Sequence, residues 1–179
     1  NLKVGETDTL VPVVEYYPNE KFDWIEGFES PGLTLEESND SDTNLIRLTN
    51  SSDVFEGNAS AFFALSHKKQ FFECRSTNTY SFPRINNSVF LELNYKADIP
   101  FIVGVFANSV GTVSQQSIVT INPKSTWNKI YINITPHVVA AINANVIDFT
   151  FFIGSRLNTE ETQPDSTYRV YLDNLKLVY

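Results

Sequence analysis

Ser88-Val89-Phe90-Leu91-Glu92-Leu93-Asn94-Tyr95-Lys96-Ala97 is the stretch on which the fold turns. Val89, Leu91, Leu93 and Tyr95 share one parity; Phe90, Glu92, Asn94 and Lys96 share the other. Successive side chains of a strand point to opposite faces, so this alternation predicts a strand buried on one face and polar on the other. Asp98-Ile99-Pro100 then turns the chain into Phe101–Asn108, apolar on both faces and therefore expected to be central.

The pattern continues downstream. Gln115–Ile121 closes at Asn122-Pro123. Trp127–Thr135 sets Ile130, Ile132 and Ile134 on one face against Trp127, Lys129, Tyr131 and Asn133 on the other. Pro136–Asn145 reads as a short helix, with Pro136 in the first turn where its missing N–H does no harm. Val146–Ile153 offers Ile147, Phe149, Phe151 and Ile153 to a core. In Tyr168–Tyr179, Val170 and Leu172 have one parity and Leu175 and Leu177 the opposite one. An inserted residue near Asp173-Asn174, a β-bulge, would bring all four to one side.

Upstream, Phe22–Glu29, Asn44–Thr49, Ala59–Leu65 and Gln70–Arg75 are further strands, and Ser66–Lys69 reads as a hairpin turn. About nine strands, one short helix and no internal repeat predict an all-β chain folded as an antiparallel two-sheet β-sandwich, a jelly roll. Leu91, Leu93, Ile130, Ile132, Phe149, Phe151 and Leu172 are expected in one core.

Composition agrees. A chain of 179 residues with 42% hydrophobic content suits one domain, and its 14 Phe and 8 Tyr suit strands. The net charge of -8 repels phosphates, which argues against nucleic acid and anionic membrane surfaces as partners. The lone Cys74 can form no intramolecular disulfide and reads as a small buried hydrophobe. A start at Asn1 and the lack of Met suggest a processed or trimmed product whose leader is not shown. Residues 1–21, broken by Pro12 and Pro18, read as an N-terminal arm or edge strand, or as a linker from a membrane anchor or another domain; the sandwich is expected to span 22–179.

Catalytic signatures are missing: no Gly-x-Ser-x-Gly elbow, no His-Glu-x-x-His and no phosphate-binding loop. His67 and His137 have no spacing that implicates a partner. Glu92 and Asp148 fall on polar strand faces, but nothing sets them opposite one another as glycoside hydrolysis requires. Five Asn-x-Ser/Thr sequons, at Asn39, Asn50, Asn58, Asn86 and Asn133, are what an Asn-rich chain contains by chance.

The polar faces carry more information. Glu92, Asn94 and Lys96; Trp127, Lys129, Tyr131 and Asn133; and Asp148 and Thr150 would, on one sheet, combine rings with planar hydrogen-bonding groups. Sugars are held that way, their C–H faces on rings and their hydroxyls on amide, carboxylate and ammonium groups. Glu92, Asn94, Trp127, Lys129 and Tyr131 are therefore the candidate carbohydrate-binding residues. The same face also reads as ordinary solvated sheet surface, and Trp127 as a core residue at a strand start.

Phe28-Glu29-Ser30, Phe90–Lys96, Trp127–Pro136 and Tyr171–Leu177 fall in an order that resembles the galactose-binding-like jelly-roll domains, in particular those of surface lipoproteins from glycan-degrading gut bacteria. The resemblance spans Phe22 to Tyr179. It implies a β-sandwich, carbohydrate binding, a secreted or cell-surface location and a structural calcium ion. Glu29 and Asp173 match the family's acidic ligands in the opening and closing strands, with carbonyls near Ser30–Gly32 needed to complete the shell. Three functions compete: a non-catalytic glycan-binding domain, membrane-attached only through an N-terminal lipid anchor; a structural or protein-interaction domain of an envelope assembly; and a glycan-active hydrolase or lyase.

Overall fold

The computed structural model describes residues 21–49, 51–81, 88–109, 112–146, 148–160 and 162–179. The expected N-terminal arm, apart from Lys21, lies outside the described residues, as do the sequon positions Asn50 and Asn86. The strands are β1 (Phe22–Glu26), β2 (Leu35–Glu37), β3 (Ile46–Thr49), β4 (Ala59–Leu65), β5 (Phe71–Ser76), β6 (Phe90–Ala97), β7 (Phe101–Ser109), β8 (Thr112–Ile121), β9 (Lys124–Asn133), β10 (Asp148–Arg156) and β11 (Tyr168–Val178). One helix, α1 (Thr135–Asn143), joins β9 to β10 and carries Pro136 in its first turn.

Two antiparallel sheets form the predicted sandwich. One runs β3-β4-β11-β6-β9, and the other β2-β5-β10-β7-β8. In the first sheet β6 lies along one edge of β11, and two strands share the other edge. β4 pairs with Tyr168–Leu172 and β1 with Leu175–Val178. The division falls at the predicted bulge, where the β11–β6 register shifts between Asp173 and Lys176 and Asn174 adopts φ 52°. Val170, Leu172, Leu175 and Leu177 are consequently all buried. Lys21 exchanges two backbone hydrogen bonds with Tyr179, so pairing starts one residue before Phe22.

The core lies between the sheets. Leu91, Leu93, Ile132, Leu172, Phe149 and Phe151 are buried in it, and Ile130 packs against it from a partly buried position. Phe63 of β4 stacks on Phe72 of β5 with centroids 4.0 Å apart, so aromatic area bridges the two layers. Cys74 is fully buried there and burial pushes its thiol pKa up, as the hydrophobe reading requires. The Ser66–Lys69 turn forms as expected. β2 has only three residues and was missed, because so short a run shows no periodicity.

One expectation fails here. β10, with Asp148 and Thr150, belongs to the second sheet, paired with β5 and β7. Asp148 and Thr150 therefore share no face with Glu92 and Trp127. Parity tells which face a residue takes but not which sheet its strand joins.

Candidate functional site

With Leu91, Leu93 and Tyr95 directed into the core, Glu92, Asn94 and Lys96 face outward from the first sheet. Register then sorts their neighbours into rows that run across the strands. One row is Trp24–Lys176–Glu92–Tyr131, on β1, β11, β6 and β9 in turn. The next is Asp173–Asn94–Lys129, and beyond it Phe62–Tyr171–Lys96.

The first row is open at both ends. Trp24 is 48% and Tyr131 55% exposed. Three inter-strand steps separate them, about 14 Å at the usual strand spacing. Between the rings lies a charged centre. Lys129 Nζ is 2.9 Å and Lys176 Nζ 3.6 Å from Glu92 Oε1, and Lys176 also sits over the Trp24 ring, 4.3 Å from its centroid. Burial pushes the Glu92 carboxyl upward. The Lys129 ammonium, a Tyr131 hydrogen bond and the Lys176 charge outweigh that and hold it below the usual range. Lys129 is raised in turn: its own partial burial opposes the shift, and Glu92 overrides it.

The other two rows are covered in part, with Lys129 left open on β9. Residues 51–58, between β3 and β4, fold over them. Phe55 and Glu56 donate their backbone N–H groups to Asp173 Oδ2, each at 3.2 Å. Asp53 pairs with Lys96, and Asn174 Nδ2 donates to Glu56 Oε2 at 3.0 Å. The Phe55 ring lies 5.7 Å from Trp127, which itself meets Tyr171 edge-on at 6.4 Å. Glu29 holds the end of the loop by accepting from the N–H groups of Asn58 and Ala59. Gly57, at φ 73°, permits this closure, since a Cβ there would lie 2.2 Å from Glu29 Oε1. Under the loop Asn94 and Asp173 are completely buried and Trp127 half-buried. Burial raises the Asp173 carboxyl to about 6; amide bonds from Glu56, Phe55 and Asn174 pull it down, and the Glu29 charge adds to the rise.

All five candidate sugar-binding residues thus lie on one face. Lys129 and Tyr131 are exposed, Glu92 is mostly enclosed by its lysines, and Asn94 and Trp127 are roofed by the loop. Trp24, Lys176 and Tyr171 were missed. The bulge contained the signal for Lys176, because bringing Leu175 and Leu177 inward sends the residue between them outward.

Glu29 and Asp173 are brought to the same loop, but they do not make a calcium cage there. Both Glu29 oxygens and Asp173 Oδ2 already accept backbone N–H groups, leaving only Asp173 Oδ1 without a partner. Calcium needs six to eight oxygens with lone pairs free, and N–H groups turned toward a carboxylate repel a cation. Among the described residues no group of three or more His, Cys, Asp or Glu side chains is placed to hold a metal ion.

No protein-family profile and no curated protein sequence matches this chain. Solved structures do. A family 11 carbohydrate-binding module from Clostridium thermocellum, in complex with a β-1,3-1,4-mixed-linked tetrasaccharide, superposes with TM-score 0.57 at 13% identity, over 88% of this chain and 94% of that one. A family 29 module gives TM-score 0.53 at 12% identity over 89% and 88%. A family 29 variant complexed with mannohexaose gives 0.52 at 12% over 89% and 92%. The fold is the β-sandwich of carbohydrate-binding modules. At these identities the likeness establishes architecture, and the ligand has to be argued from the face itself.

Proposed function

We propose that this domain is a non-catalytic carbohydrate-binding module, with a glycan docking along the row Trp24–Lys176–Glu92–Tyr131. The observation that carries the reading is the arrangement of that row: an exposed ring at each end and an ordered ammonium–carboxylate–ammonium centre between. The rings offer apolar area to pyranose C–H faces, and the charged centre offers fixed donors and acceptors to hydroxyls. The open, unwalled geometry suits a length of polysaccharide passing across the strands and predicts modest affinity, since a wet, shallow surface gains little over water. A secreted or surface-anchored parent protein, the location that the sequence resemblance implies, would bring such a face to extracellular polysaccharide.

The paired-carboxylate reading loses its partners. Glu92 is engaged by two lysines, and Asp148 belongs to the other sheet. The interaction-domain reading draws on Phe22, 55% exposed beside Trp24, which extends the apolar strip toward the sheet end. Glycan-array binding with the purified domain separates the two, with mannohexaose, cellulohexaose and the mixed-linked tetrasaccharide included. Binding that Trp24→Ala and Tyr131→Ala each weaken supports the module. A folded domain that binds no glycan sinks it in favour of a protein partner.

A further inference from the structure

The buried row under the 51–58 loop contains polar atoms that no protein group satisfies. Asn94 Nδ2, Asn94 Oδ1, Asp173 Oδ1 and Trp127 Nε1 are enclosed and without a hydrogen-bond partner. Buried polar groups are almost always paired, and an orphan costs roughly 1–3 kcal/mol. Asn94 and Asp173 are register partners on β6 and β11, and Trp127 lies two residues before Lys129, the β9 partner of Asn94. Together they present two donors and two acceptors. The donors make the cluster a poor cation site, whereas vicinal hydroxyls, each both donor and acceptor, match it. It also adjoins the open row: Asn94 follows Glu92 by two residues on the same face of β6, about 7 Å along the strand.

What separates the cluster from solvent is the loop, and its ties on this face are the Asp53–Lys96 ion pair, the bond from Ser60 Oγ to the Asp53 carbonyl, the Glu56–Asn174 bond, two amides on Asp173, and Phe55 against Trp127. We infer that residues 51–58 are a lid over a second sugar subsite formed by Asn94, Asp173 and Trp127, which a glycan long enough to leave the row beside Glu92 and run along β6 reaches by displacing the loop. This rests on the carbohydrate-binding reading above. In the closed state the subsite is hidden, so the apparent affinity for long chains is reduced by the fraction of molecules that are open. A short glycan on the Trp24–Tyr131 row does not meet the lid.

The test compares cellulohexaose and mannohexaose with the corresponding disaccharides by titration calorimetry. In the Asp53→Ala/Glu56→Ala variant, two ties are cut without touching the subsite. Hexasaccharide binding should tighten about tenfold while disaccharide binding stays unchanged. Adding Asn94→Leu should abolish that gain. Thermal melts verify folding, and Asn94→Leu should not lower the midpoint, since no hydrogen bond is lost with it. If disaccharides bind and both variants leave hexasaccharide affinity unchanged, the lid is simply part of the wall and the inference is overturned. If neither glycan binds even the parent domain at any length, the carbohydrate reading itself fails, and the lid with it.

Discussion

Lys176 Nζ stands 3.6 Å from Glu92 Oε1 across the β11–β6 ladder, with the Trp24 ring on its other side. The contact depends on the bulge at Asp173-Asn174, which turns Lys176 outward while Leu175 and Leu177 enter the core. One backbone irregularity therefore seals the core and completes the charged centre of the outer face.

Glu92 should give the domain a measurable acid dependence. Lys129, Tyr131 and Lys176 hold its carboxyl below the ordinary value of 4.5 despite the opposing effect of burial. The native state then binds fewer protons than the unfolded one between the two pKa values. This stabilisation is complete above the ordinary value and is lost as pH falls through the depressed one. Glu92→Gln should flatten the stability profile below pH 4.5, read from urea melts across an acid series. A wild-type slope in that variant would assign the acid sensitivity elsewhere.

Adjacent residues on β9 should separate binding from stability. Tyr131 is 55% exposed and Ile132 7%. Tyr131→Ala should weaken glycan binding with the melting midpoint little changed. Ile132→Ala opens a core cavity and should cost about 2–5 kcal/mol by denaturant titration, while the folded fraction still binds. Equal stability losses would mean that the Tyr131 ring is structural.

The fold was legible because period-two burial is a local signal repeated strand after strand, and the bulge was legible because Leu172 and Leu175 cannot both face the core without it. The site was legible only as a face. Glu92, Asn94, Lys129 and Tyr131 take the predicted side, yet which strands lie beside them is a non-local fact. Hence Asp148 was grouped with them wrongly, and Trp24, which reaches the site only through the β1–β11 pairing, was not grouped at all. The roof over Asn94 depends on the path of residues 51–58, which lack periodicity to read.

Calcium should leave the melt unmoved. A ligand at free concentration L that binds only the native state stabilises it by RT ln(1 + L/Kd) and so raises the midpoint. The amide bonds already on Glu29 and Asp173 engage every carboxylate oxygen of the pair except Asp173 Oδ1, far short of the shell such an ion needs. Thermal midpoints in excess calcium and in excess chelator should coincide. A midpoint several degrees higher in calcium, abolished by Asp173→Asn, would show that the loop rearranges to expose those oxygens and would restore the ion.

The bulge offers the most discriminating test of how fold and site are joined. Asn174 sits at φ 52°, a conformation that Asn and Gly tolerate and β-branched residues resist. Asn174→Gly should retain the strand geometry and lose only the Nδ2 bond to Glu56, a small effect. Asn174→Val should be strained and cost on the order of 1–3 kcal/mol. Deleting Asn174 goes further, because a one-residue shift reverses the face of every side chain after it. Leu175 and Leu177 would turn to solvent and Lys176 into the core, which exposes two fully buried leucines and buries an ammonium without a partner. Denaturant melts should therefore rank wild type and Asn174→Gly close together, Asn174→Val lower, and the deletion unfolded or nearly so. A stable deletion variant would show that β1 and β6 can re-register along β11, and that the lysine and the two leucines are not coupled through this residue.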